Sequence, residues 1–300
     1  MHCRKLFVAL SAIVLLAASS CGGTHLASNT PDFSAVQGNW QLTSPGPFPG
    51  DLSQGPIVTL AIGRSGNTIY AVGDTTVTCS QNGAWMDGPI SGVGAPVTAA
   101  IASDGSFLLT NASSPDSPIQ FAIRGAVPVV GASTWKGTYT LFNAASSKLS
   151  CDFHQSGSFE ALAYPPFQGT YSGTVSGPGF QSGIGLSLQV AQGEPTIIPA
   201  GQPLSSGLIA AARFYLPLSG TIAITGSPCF TTGAFASDGN SVISGDRFTI
   251  LATMNDGTPV LVTGWFYDRS ETTLTFAHFE VMGRSSCAGS FGNGSLTVQP

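Results

Sequence analysis

The chain has 300 residues, of which 8% are charged, against about 25% in an ordinary soluble domain. With 38 Gly, 20 Pro and so few Lys, Glu and Arg to build exposed helix faces, a helical bundle, a coiled coil or a large α/β enzyme is excluded. Disorder is excluded as well, because 42% apolar and 9% aromatic residues can bury a sizeable core.

In chain order, residues 1–20 read as an export signal. Arg4 and Lys5 form a positive start, Leu6 to Ala18 an apolar run interrupted only by Ser11, and Ala18-Ser19-Ser20 a stretch of small residues before Cys21. Thirteen residues rise about 20 Å as a helix, short of the ~30 Å hydrocarbon core, so a signal is expected rather than a permanent span. Residues 21–32, with Gly22-Gly23-Thr24 and Thr30-Pro31, read as a polar, flexible tether.

The segment Leu15-Leu16-Ala17-Ala18-Ser19-Ser20-Cys21 resembles the lipobox of bacterial lipoproteins, with Ala18 where that family prefers Leu. The resemblance implies that Cys21 carries a diacylglycerol and becomes the mature N-terminus, anchoring the protein to a membrane by acyl chains. Gly22 is not the Asp of inner-membrane retention, so the resemblance implies cell-envelope placement at the outer membrane. Without residues 1–20, eight of the ten basic residues remain against fifteen acidic ones, a net charge of −7 without runs. No basic stripe gathers phosphates, and nucleic acid is not expected as a partner.

Beyond Pro31 nearly every segment reads as short strand and turn. Ile57 to Ile62 and Thr68 to Val72 flank a turn over Gly63–Asn67. Ser103-Asp104-Gly105-Ser106 separates Val97–Ala102 from Phe107–Thr110, and Met254-Asn255-Asp256-Gly257 separates Phe248–Thr253 from Val260–Thr263. Asp-Gly pairs supply the positive φ that tight hairpins need. Phe266 to Thr272 reads as a loop leading into Leu274–Val281, and Leu208 to Phe214 is a short helical candidate. The expected class is all-β, as antiparallel barrels or sandwiches.

The chain repeats itself. Val36-Gln37-Gly38-Asn39-Trp40 corresponds to Phe167-Gln168-Gly169-Thr170-Tyr171, and Cys79-Ser80-Gln81-Asn82-Gly83-Ala84-Trp85 to Cys229-Phe230-Thr231-Thr232-Gly233-Ala234-Phe235. Cys151 and Cys287 are each followed by Gly and an aromatic residue. Two similar β domains are expected, 33–164 and 165–300, joined at Pro165-Pro166. A shorter repeat, pairing Trp135 to Thr140 with Phe167 to Thr174, fits the cysteine spacing less well. With Cys3 in the signal and Cys21 lipidated, four cysteines remain, and an exported protein keeps disulfides. Of three connectivities, Cys79–Cys151 with Cys229–Cys287 is the one that respects the repeat. No Cys-x-x-Cys spacing suggests zinc, and no cofactor is implied.

Two acid–imidazole pairs stand out: Asp152 with His154, and His278 with Glu280, each two residues apart as on one face of a strand. Lining a cavity, they would bind a cation or exchange protons. On a half-buried strand they would face solvent, with Phe153 and Phe279 in the core, and this is the expected arrangement. Ser133-Thr134-Trp135-Lys136 matches Ser-x-x-Lys, but strand-like sequence follows it and the companion motifs are absent, so no catalytic residue is assigned.

Gly38-Asn39-Trp40 resembles the Gly-x-Trp opening of lipocalin- and avidin-like barrels. Most of 21–300 is similar to Gly/Ser/Thr-rich bacterial lipoproteins of unknown function, which share that opening, the Gly226–Phe230 segment (Gly-Ser-Pro-Cys-Phe) and the closing Cys287–Ser290 stretch. The likeness implies envelope localisation and β-architecture, without an activity. The expectation is therefore a lipid-anchored envelope protein of binding or structural type, with an envelope component or a small apolar ligand as partner. One alternative is a lipocalin-like carrier using Trp40, Trp85, Tyr171 and Trp265; the other is a secreted hydrolase of glycan or peptide using one of the acid–imidazole pairs.

Overall fold

The computed structural model describes residues 33–44, 58–65, 68–79, 85–89, 97–101, 104, 106–111, 119–143, 152–198, 213–266, 273–283 and 286–299. A 3₁₀ turn at Phe33–Val36 leads into the first half. Its strands are β1 (Gly38–Thr43), β2 (Val58–Ser65), β3 (Thr68–Thr78), β4 (Trp85–Pro89), β5 (Val97–Ile101), β6 (Ser106–Asn111), β7 (Ile119–Ala126), β8 (Thr134–Asn143) and β9 (His154–Ala163). The second half holds β10 (Gly169–Gly177), β11 (Phe180–Gln192), β12 (Thr196–Ile198), β13 (Arg213–Thr225) and β14 (Thr232–Phe235). It ends with β15 (Val242–Ser244), β16 (Arg247–Met254), β17 (Pro259–Phe266), β18 (Thr273–Val281) and β19 (Phe291–Val298).

Each half is an antiparallel barrel. The first sheet runs β4-β3-β2-β1-β9-β8-β7-β6-β5, and β3 comes alongside β5, so the ring is nearly closed. The second runs β11-β10-β19-β18-β17-β16-β14-β13-β12, and β13 also pairs β11 over Gly185–Gln192, which closes an eight-stranded ring. The halves share their plan. The opening strand lies against the closing one in both, β1 on β9 and β10 on β19. Cys79 follows β3 as Cys229 follows β13.

Alternation explains the strands. On β7, Ile119, Phe121 and Ile123 are buried, and the residues between them are more open; this period of two puts one face in the barrel and the other outside. The interiors are filled with rings. Trp135 meets Trp40, Phe107 and Phe159 edge-on, with centroids 4.8–5.8 Å apart. In the second barrel Phe167 meets Tyr171, Phe248 and Phe266 at 4.9–5.3 Å, distances at which aromatic pairs attract beyond their area alone. Val36 and Phe167, equivalent in the repeat, plug the ends of their barrels, each 0–1% exposed.

The hairpins fall where Asp-Gly pairs mark them: β5–β6 over Asp104 and β16–β17 over Asp256. The first hairpin has longer arms than its composition suggests, β2 continuing through Gly63 and Arg64 to Ser65. The helical candidate is corrected in part: Arg213 and Phe214 begin β13 and pair with Ile198 and Ile197, while 208–212 lie outside the described residues. Ladder bonds to β12 outweigh a weak local helical pattern.

Both oxygens of Asp256 accept bonds from Thr258, its N–H at 2.9 Å and its hydroxyl at 2.8 Å. These bonds hold the carboxyl below its ordinary 3.8 because they favour the ionised form. The turn's contribution is therefore in place above the ordinary carboxylate pKa and is lost as pH falls through the lower folded value. Thr258→Val is expected to move the Asp256 titration back upward, read from its carboxyl carbon by NMR.

The chain from Phe33 to Pro300 forms one compact unit, because one end of the second barrel docks on the outer wall of the first. Asn39 exchanges two hydrogen bonds with the backbone of Gly245: its Nδ2 donates to the carbonyl at 2.6 Å, and its Oδ1 accepts from the N–H at 2.8 Å. Thr59 donates to Asp246 at 2.9 Å, and Arg247 lies 3.6 Å from Asp74. Ala61, fully buried, joins the second barrel's core, with Tyr70 and Val72 packed against it. Gly245 sits at φ 63° with Thr59 where a side chain would project, so only glycine lets the β15–β16 turn approach this wall. Asn39→Ala is expected to cost about 2 kcal/mol by leaving buried backbone groups unpaired, measured as a lower urea midpoint.

Candidate functional site

Cys229 and Cys287 form a disulfide with Cα atoms 6.4 Å apart, within the usual range. It ties the turn after β13 to the loop before β19, across the barrel end away from the first barrel. Phe230 lies beneath it against Phe279, and Phe279 against Phe180. Cys79 is also disulfide-bonded. Cys151 and Cys21 lie outside the described residues.

The acid–imidazole pairs stand on different barrels. Phe153 and Phe279 are buried, 4% and 0% exposed, and the polar residues beside them turn outward. His154 opens β9 at an exposed position with its ring stacked on Phe142 at 6.2 Å, and Asp152 precedes the strand, also exposed. His278 and Glu280 do share a face of β18, His278 Nε2 lying 3.7 Å from Glu280 Oε2. His278 Nδ1 hydrogen-bonds Asn293 Oδ1 at 2.7 Å from the adjacent β19, and its ring lies over Phe291 at 5.8 Å. Asn293 was not singled out from the sequence; the signal is register, since His278 stands opposite it in the ladder. The trio is a cross-strand polar cluster on an outer wall, able to exchange protons with solvent but not to exclude water from a substrate.

The lining proposed for a carrier divides. Trp40 and Tyr171, each 2% exposed, are core residues, and Trp40 Nε1 donates to the Val36 carbonyl at 2.9 Å. The Trp85 side chain lies outside the described residues. Trp265 is a correction: it is 40% exposed on the outside of β17, because Phe266 beside it takes the inward position. The indole N–H of Trp135 is buried without an acceptor, surrounded by rings. Trp135→Phe, which deletes that donor, is therefore expected to cost less than about 1.5 kcal/mol, while Trp135→Ala opens a cavity and costs about 3–5 kcal/mol, read by urea denaturation.

Ser133 and Lys136 do not form a catalytic dyad. Ser133 precedes β8, Lys136 is the third residue of that strand, both are exposed, and Lys136 pairs with Glu160 at 3.7 Å. Among the described residues no three His, Cys, Asp or Glu side chains are gathered to hold a metal ion, and no helix is long and apolar enough to cross a membrane. No protein-family model matches the chain, and no curated protein matches it.

Proposed function

We propose that this chain is an exported cell-envelope protein, anchored through a lipid on Cys21, whose paired barrels serve in binding or surface structure rather than catalysis. The observation that carries the reading is the apolar run Leu6–Ala18 ending in Ala18-Ser19-Ser20-Cys21. The disulfides agree with it, since they persist in oxidising compartments. A non-catalytic role is supported by barrel interiors packed with rings and by the outward setting of His154, His278 and Glu280. Acyl chains contribute about 0.8 kcal/mol per buried CH₂, so two or three hold the barrels at a membrane.

The test is mass spectrometry of the protein purified in mild detergent from its own host. The expected mass is that of residues 21–300 with two disulfides plus diacylglyceryl, and Cys21→Ser abolishes the added mass and membrane fractionation. A mass beginning elsewhere, or an unmodified Cys21, overturns the anchor. A co-purifying small apolar ligand would move the reading from structure to carriage.

A further inference from the structure

We infer that the loop joining β7 to β8 is a membrane-contacting tip that seats the first barrel end-on against the bilayer; this rests on the lipid anchor at Cys21. Val129 and Val130 are 79% and 70% exposed, while the other exposed large apolar residues described are 36–40% exposed. The tip is built rather than loose. Val127 packs on the first barrel's core, Pro128 fixes the backbone that follows, and the Ala132 N–H donates to the Val129 carbonyl at 3.0 Å. Gly131, at φ 81°, occupies the position where such a turn needs a positive φ. Two valines are thereby presented to solvent on a short, closed turn.

Its place in the barrel says what covers it. Trp40 pairs with Ala163, and Leu162 with Thr134, so the start of β1, the end of β9 and the start of β8 share one barrel end. The 3₁₀ turn Phe33–Val36 closes that same end, with Val36 in the core. The lipid-bearing segment thus joins the barrel on the rim that carries Val129 and Val130. Cys21 and Phe33 are twelve residues apart, a reach of at most about 40 Å. That bound keeps the barrel within reach of the membrane, and an apolar tip on the same rim supplies an orientation.

The charge on this end agrees. Arg64, Arg124 and Lys136 stand near it on β2, β7 and β8, against Asp104 and Glu160 among the described residues. The rim is balanced slightly positive in a chain that is −7 without residues 1–20. Long cationic side chains beside an apolar tip suit the phosphate layer of a bilayer.

The test uses the full lipidated chain reconstituted into phosphatidylcholine vesicles with brominated acyl chains. Val130→Trp places a reporter on the tip, and Gln181→Trp places one at the exposed far end of the second barrel. Emission added by each substitution is compared with vesicles lacking bromine, and flotation and mass report the anchor separately. The expected result is that Val130→Trp loses most of its added emission and Gln181→Trp loses none. Flotation of a lipidated chain without quenching at 130 overturns the tip and leaves the anchor standing. Burial of the 130 reporter against a second copy of the chain, seen as dimerisation without vesicles, also overturns it. Absence of added lipid mass together with absence of flotation overturns both.

Discussion

Phe167→Ala is expected to lower unfolding stability by about 3–5 kcal/mol, the range for removing a large buried ring. Phe167 is fully buried and touches Tyr171, Phe248 and Phe266, which come from β10, β16 and β17. It precedes the first strand of its barrel, so it acts as a plug whose loss opens the end that docks on the first barrel. Its N–H also donates to Gln192 Oε1 at 2.9 Å at the end of β11, a bond that Ala retains and that separates packing from anchoring. Phe167→Leu keeps most of the volume and is expected to recover more than half of the loss. Equal effects of Ala and Leu in urea titrations would show that the ring contacts contribute little.

Replacing Cys229 and Cys287 together by Ala is expected to cost about 4 kcal/mol in the loop-entropy account, for a sequence separation of 58. The cost is large because the bridged stretch includes five strands of a glycine-rich chain, β14 to β18, whose backbone freedom the bridge restricts before folding. The signature is a native state little changed in far-UV circular dichroism and a markedly lower urea midpoint. Reductant added to the unaltered chain gives a further loss, since Cys79 is also in a disulfide. A double variant as stable as the parent would mean that the barrel is held by its ladders and core alone.

Much of this architecture is legible in the sequence, for identifiable reasons. Asp-Gly pairs place the β5–β6 and β16–β17 hairpins because positive φ is a local requirement. The Gly-x-aromatic repeat places the opening strand of each barrel because Trp40 and Tyr171 fill equivalent inward positions. The outward setting of His278 and Glu280 follows from alternation about Phe279. What is not legible is mostly long-range. The wall covered by the second barrel shows in the sequence only in the largely apolar run Ile57–Ile62, in which Ala61, an outward position, is as buried as its inward neighbours. An apolar residue such as Ala61 at an outward position is compatible with cover on both faces, yet nothing local names Gly245 as the partner of Asn39. Asn293 joins His278 through ladder register, which a sequence separation of 15 conceals.

The joint between the barrels is a head-to-side contact, and contacts of that kind can propagate into open-ended stacks. The second barrel carries a wall equivalent to the one the first barrel offers. Aligning Gly38 with Gly169 puts Gln189 where Ala61 stands, Thr221 where Val72 stands and Ala223 where Asp74 stands. Gln189 and Thr221 are exposed and bonded to each other at 3.3 Å. The duplicated surface is thus polar and already satisfied, offering a third unit neither a greasy seat nor a carboxylate for its arginine. The seat that joins the two barrels is therefore not offered a second time on the matching wall of the second barrel.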